Sequence, residues 1–177
     1  MPRITECMAT KIFTTPHGSR LYGFAHAGSD VDTFTVTDSR SRKVSQSVQG
    51  DDDRCVVGVH RFLELAMGGS HQSVEALYSP LKMWADTDSA RQWRPLLESV
   101  RVGGGEVSAK FERTIRKFSH GNFKQRRHAA RLSLHLMEIR QCGRIVNVRL
   151  QPAQVEWCAR VAEQHQGQDL AVILGVS

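Results

Sequence analysis

Asp30 and Asp32, in "SDVD", stand two residues apart, and Gly18-Ser19 precedes Asp30 by about a dozen positions in a β-type stretch. Residues i and i+2 of a strand point to the same side, so the spacing predicts two parallel carboxylates. Two like charges on one face are costly unless a cation neutralises them. Mg²⁺ suits such a pair, because it prefers oxygen ligands and keeps positions for water and phosphate. A Gly-Ser turn opening a helix offers backbone N–H groups and a hydroxyl, and glycine admits an oxyanion closely. Arg20 adds a charge-assisted phosphate contact. Together these parts suit metal-assisted attack on a nucleoside triphosphate. The same residues also read as a plain turn followed by a polar-edged strand. "DVDTFTVTD" lacks the sixth-position glycine of a helix-flanked calcium loop, and the chain has neither a GxxxxGK[ST] nor a GxGxxG motif.

The elements that must position these residues are legible from periodicity. "TKIFTT" reads as a strand ending at Pro16, Gly18 to Leu21 as the opening of a short helix, and "HAGSD" as a turn. "VDTFTVTD" alternates β-branched and aromatic residues as a strand does. "SRSRKVSQSVQGDDD" reads as a polar hairpin or loop that could hold a short strand in "KVSQSV", and "RCVVGV" as an apolar strand with acids just ahead of it. "HRFLELAMGG" carries Phe62, Leu63, Leu65 and Ala66 on one helical face, and "QSVEALYSP" is a short helix stopped before Pro80. Beyond about residue 85 helical periodicity takes over. "SARQWRPLLESVRV" is a helix interrupted or begun at Pro95, and "GGGEV" is a hinge or cap. "SAKFERTIRKFSHGNF" and "KQRRHAARLSLHLMEIRQCG" are basic amphipathic helices, the second with Ala129, Leu132, Leu134, Leu136 and Ile139 facing a core. "RIVNVRL" reads as a short strand and "QPAQVEWCARVAEQHQ" as a final helix opening at Pro152. The expected class is α+β: a small mixed sheet with helices over residues 1–85, followed by a helical region over 86–177 that packs on it.

Composition bounds the options. The chain has 177 residues, 40% hydrophobic and 24% charged, which suits a globular fold. A net charge of +6 and a pI of about 9.5 favour polyanionic partners such as nucleic acid or nucleotide phosphates. Cys7, Cys55, Cys142 and Cys158 form no CxxC pair and read as reduced thiols. The N-terminal stretch lacks a signal-peptide pattern, and no apolar run is long enough to span a bilayer. The expected location is cytoplasmic, without a membrane partner.

The order strand, "GSRLYG", spacer, "SDVD", strand resembles the nucleotidyltransferase superfamily with the DNA polymerase β-like fold. It is closest to a branch of bacterial and phage RNA-repair-type nucleotidyltransferases, whose G-S-x-x-Y-G and S-D-x-D elements correspond to Gly18, Ser19, Tyr22, Gly23, Ser29, Asp30 and Asp32. "HRFLELAMGGSHQSVEALYSP" is similar to the branch's apolar helix and E-x-L-Y-x-P element, which includes Glu75. "KQRRHAARLSLHLMEIRQCG" is similar to its K-x-x-x-H-x-x-R-L helix, at Lys124, His128 and Arg131. The resemblance implies that Gly18, Ser19, Arg20 and Tyr22 bind the nucleotide. It implies a two-metal mechanism, in which Asp30 and Asp32 hold two divalent ions, Mg²⁺ (or Mn²⁺), and a third carboxylate completes the set. Asp53 is the candidate, with Asp51 and Asp52 as competitors, and "GDDD" as a solvated acidic turn is the alternative. NMP would pass from an NTP such as ATP to a hydroxyl, with pyrophosphate released. The acceptor that the resemblance and the basic charge imply is an RNA 3′ end, such as that of tRNA. Alternatives are a protein hydroxyl, as in toxin–antitoxin systems, a small molecule, or a degenerate fold that binds nucleotide or RNA without turnover.

On a helix Lys124, His128 and Arg131 fall at i, i+4 and i+7 and share one face. They read either as a clamp on nucleotide phosphates or as an ordinary basic surface. Arg126 and Arg127 are candidates for a nucleic-acid backbone. His17 abuts Gly18 and His60 could line the pocket. Glu75 reads as a catalytic acid, a helix-surface acid or a buried partner for a basic helix. Trp84, Trp93 and Trp157 are expected at the joint between the halves.

Overall fold

In the computed structural model, residues 9–49, 52–165 and 168–176 are described. Cys7 and Asp51, both singled out above, lie outside them. Strand β1 (Lys11–Pro16) leads into a short helix α1 (Gly18–Tyr22), and after a loop comes β2 (Thr33–Thr37). Strands β3 (Val44–Gln49) and β4 (Asp52–Gly58) form a hairpin that runs directly into α2 (Val59–Met67) and then α3 (His71–Tyr78). A two-residue strand β5 (Met83–Trp84) precedes α4 (Asp88–Ser99), α5 (Gly105–Ser119), α6 (Phe123–Cys142), α7 (Pro152–Gln164) and α8 (Leu170–Ile173). The class is α+β, as expected.

The sheet order is β3-β4-β2-β1-β5. Only β2 and β4 are parallel; the other pairs are antiparallel. The alternation seen in "TFTVT" buries Phe34 and Val36 on one face. Phe62 of α2 packs there, edge-on to Phe13 at a centroid distance of 5.7 Å and tilted against Phe34 at 5.8 Å. Helix α4 packs on β1 from the other half of the chain. Trp84 meets Phe13 at 5.3 Å and Trp93 meets His60 at 5.1 Å, while Trp157 is partly buried against the core.

Four local expectations are corrected. The segment "RIVNVRL" is not a strand. Glu138 accepts hydrogen bonds from the Val146 and Asn147 amides, so this chain turns while burying Ile145, Val148 and Leu150. Helix α4 runs through Pro95 rather than starting or breaking there. Strand β4 begins at Asp52, so Asp52 and Asp53 lie inside it. Conversely β2 begins only at Thr33, so Asp30 and Asp32 precede the strand. One more backbone bond, from the His17 amide to the Asp32 carbonyl, follows the last β1–β2 pair, and the Val31 amide then turns to the Asp52 carboxylate.

Candidate functional site

A cleft of about 470 Å³ opens between the α1–β2 side of the sheet and the N-terminal half of α6. Its floor is built by register. Thr33 of β2 pairs with Arg54 of β4, so Asp32 and Asp53 come side by side where the two parallel strands start. The Asp32 Oδ1 accepts from the Asp53 amide at 3.2 Å. Asp53 Oδ2 accepts from Gln46 at 2.6 Å, whereas its buried Oδ1 has no hydrogen-bond partner. Asp30 also borders the cleft, but at the exposed rim.

Gly18 and Ser19 face these carboxylates. Gly18 has a φ of 63°, and a Cβ built on it would fall 2.2 Å from Asp32 Oδ2. Only glycine lets α1 come this close to the acid. Arg20 does not line the cleft. Its Nε and Nη2 donate to the carbonyls of Asp30 and Ser29, at 3.0 and 2.7 Å, and so latch the loop that carries the aspartates.

The opposite wall comes from α6, which a capping box at Asn122 starts and Gly143 ends. Lys124, Arg127 and His128 line the cleft. The guanidinium of Arg127 stacks over Phe24 at 4.3 Å. Arg131 goes elsewhere. It is fully buried and ion-paired with Glu75, which is also fully buried. Arg131 is therefore not a cleft-lining clamp residue. Arg126 is likewise withdrawn, with its guanidinium donating to the carbonyls of Ser119, Ala162 and His165.

Glu75 ties the two halves together. Its Oε2 accepts from the Tyr22 hydroxyl at 2.6 Å, and its Oε1 meets Arg131 Nη1 and, at 3.3 Å, His135 Nδ1. Burial alone would raise its pKa, but Arg131 and then the histidines outweigh burial and hold the carboxyl well below the usual range. Burial, with Glu75 alongside, drives the Tyr22 phenol well above its ordinary value, so it stays a donor. His17, His71 and His128 line the cleft next to this pair, and burial keeps all three below the ordinary imidazole value.

Sequence reasoning left Glu75 between three readings, and the structure places it as the buried partner of a basic helix. It missed His71 and Gln46 as cleft residues; neither sits in a pattern that a single sequence would flag. Among the described residues, no group of three His, Cys, Asp or Glu side chains is assembled as a ready metal site. Asp32 and Asp53 come together, and Asp30 stands apart at the rim. No described helix is long and apolar enough to cross a membrane.

No protein-family model matches the chain, and no curated protein matches it. Among solved structures, it is similar to a nucleotidyltransferase-like protein from Exiguobacterium sibiricum 255-15, at 12% identity and a TM-score of 0.35. That similarity covers 97% of this chain and 66% of the other, so the chain spans just under two thirds of that protein's length.

Proposed function

We propose that the protein is a divalent-metal-dependent nucleotidyltransferase that moves NMP from an NTP to a hydroxyl, with an RNA 3′ end as acceptor. The observation that carries this reading is the close approach of Gly18-Ser19 to the Asp32–Asp53 pair on one wall of a cleft. The buried, unpartnered Asp53 Oδ1 and the all-oxygen donor set fit Mg²⁺ or Mn²⁺. Asp32 and Asp53 would hold the ion, with Asp30 joining from the rim. When bound, it would neutralise phosphate charge and acidify the attacking hydroxyl.

The protein groups divide the remaining work. Ser19 offers its hydroxyl to a phosphate oxygen, and Gly18, lacking a Cβ, lets this turn sit against Asp32. Lys124 brings a cation to the facing wall, and Arg127 is held over Phe24 for a phosphate or a base. Arg131 and Tyr22, whose polar ends are taken up by Glu75, shape this wall rather than grip the ligand.

A second reading, a binder without turnover, is favoured by the lack of an assembled three-ligand group among the described residues. Incubation with each labelled NTP, Mg²⁺ and either total RNA or total protein separates the two. Label transferred to RNA by the wild type and lost in Asp30→Ala/Asp32→Ala is the result expected. Transfer to protein would reassign the acceptor. Nucleotide binding without transfer to any acceptor would leave the binder.

A further inference from the structure

We propose that His128 serves the cleft as a neutral hydrogen-bond donor, offering its Nε2–H to an acceptor oxygen of the bound nucleotide. Arg131, anchored on Glu75, is the positioning residue that fixes this tautomer. The inference rests on the nucleotide reading for its ligand, but not for its tautomer.

The argument begins with what a guanidinium can do. Arginine only donates, so the 2.7 Å contact between Arg131 Nη2 and His128 Nδ1 requires a lone pair on Nδ1. The ring proton therefore sits on Nε2. A protonated imidazole would set N–H against N–H beside a fixed cation and lose the contact.

Arg131 has no freedom to accommodate that change. Its Nη1 is held by Glu75, and its guanidinium carbon lies 3.5 Å from the centre of the Tyr22 ring. Tyr22 in turn is held by Glu75 through its hydroxyl. The His128 ring is flanked edge-on by Phe118 at 4.8 Å and His71 at 5.3 Å. The charged and titratable groups around it are Arg131 and His135 from α6, Glu75 and His71 from α3, and Tyr22 from α1. Lys124 and Arg127 share its cleft, and the α5 neighbour is the uncharged Phe118. Only Glu75 favours a proton on His128, and Glu75 is already engaged by Arg131. Burial, followed by Arg131, brings the His128 pKa down to about 2.

A neutral donor has a functional signature. A clamp made of charged histidine releases its phosphate as pH rises through the ordinary imidazole range. A clamp made of Nε2–H does not. The other α6 cations, Lys124 and Arg127, then supply the charge, and His128 supplies direction.

The test uses full-length protein with ¹⁵N-labelled histidine and long-range ¹H–¹⁵N correlation between pH 5.5 and 8. The expected result is a His128 signal with Nε2 protonated and Nδ1 bare throughout, and a shift of the Nε2–H on adding ATP with Mg²⁺. A proton on Nδ1, or a ring that charges near pH 6.5, overturns the tautomer. Binding then checks the contact. An asparagine amide nitrogen reaches only the Nδ1 position and a glutamine amide nitrogen reaches the Nε2 position. H128N is expected to weaken ATP binding about tenfold, the value of one good hydrogen bond, and H128Q to recover most of that loss. Equal losses in both overturn the donor role. Absence of any ATP binding by the wild type overturns the nucleotide reading and the ligand assigned to His128, while the spectrum still decides the Arg131–His128 relation. R131K keeps the charge but not the planar fork, and should let the two His128 tautomers mix. Should R131K fail to fold, the wild-type spectrum and the H128N/H128Q pair decide.

Discussion

Replacing Gly18 by alanine places a methyl group where Asp32 now sits. The added Cβ would lie 2.2 Å from Asp32 Oδ2, and the residue would keep a φ of 63°. To reach ordinary contact the carboxylate must retreat by roughly 1 Å. The obstacle is the end of a side chain, so the fold can yield by turning Asp32 away. The stability cost is then mainly backbone strain, about 1–2 kcal/mol, or a fall of roughly 3–6 °C in melting temperature for a domain of this size. On the proposed reading the site loses much more, because turning Asp32 breaks its bond with the Asp53 amide and moves an oxygen proposed to hold the metal. A displacement of about 1 Å at a reacting centre costs on the order of 100-fold in rate. Gly28 is the control. Its φ is 94°, yet a Cβ there would meet nothing within 4 Å. Gly28→Ala should therefore show similar strain without the clash. The assay is transfer of labelled NMP alongside thermal melts with and without Mg²⁺. Gly18→Ala is expected to lose both transfer and the Mg²⁺-dependent rise in melting temperature, and Gly28→Ala to keep most of each. Equal transfer activity in the two variants would refute the placement of Asp32 in the reacting centre.

The remaining expectations concern the buried pair, pH and the cationic wall. Glu75→Ala should destabilise the fold by about 3–5 kcal/mol in urea titrations, because it leaves Arg131 charged and buried; Glu75→Met/Arg131→Met should cost clearly less than the two single changes added together. Stability should fall on acidification. Below the unfolded value of 6.5 the unfolded chain takes up a proton that His128, held at about 2, refuses, so the contribution is complete above pH 6.5 and shrinks as pH drops. From pH 7 to pH 5 this one group accounts for about 2 kcal/mol. H128Q should flatten the urea-measured slope by that amount, and an unchanged slope would remove His128 from the account. Glu75, depressed well below 4.5, adds nothing to this window. Lys124→Ala should raise the Kd for ATP several-fold and weaken its dependence on salt, measured by calorimetry at two ionic strengths.

Strands β1 and β2, the body of β4 and most helices were legible because each carries its period openly, whereas the two-residue β5 was not. "TFTVT" alternates, and α6 repeats its apolar residues at helical spacing between Asn122 and Gly143. The opening of the site was legible too, since Gly18-Ser19 and the SDVD run are local features. What a single sequence cannot encode is where a long cation points. Lys124, His128 and Arg131 share a helical face by spacing, yet the first two reach the cleft and Arg131 lies buried on Glu75, 56 positions away. The start of β4 was missed for a related reason. Asp52 and Asp53 have poor strand propensity, and pairing with β3 and β2 overrides it.

The treatment of the acidic groups carries a further argument for an external cation. The chain has 24 Lys and Arg against 18 Asp and Glu, so cations are in excess. Glu75, buried behind the cleft wall, receives an arginine, a tyrosine hydroxyl and a histidine. Even surface acids such as Glu64 and Asp86 are paired with arginines. None of the ion pairs among the described residues involves Asp30, Asp32 or Asp53. Asp32 and Asp53 are adjacent by register and partly buried, and among the described residues their carboxylates accept from one amide and one glutamine. A fold that merely needed stability would turn one of its many arginines toward such a pair, or replace one acid by an amide. Keeping two adjacent carboxylates short of positive charge makes physical sense where the missing charge arrives with a ligand. On that account Asp53→Asn should leave the metal-free protein as stable as the wild type or more so, and abolish its stabilisation by Mg²⁺. A metal-free Asp53→Asn protein markedly less stable than the wild type would show instead that the carboxylate is part of the scaffold.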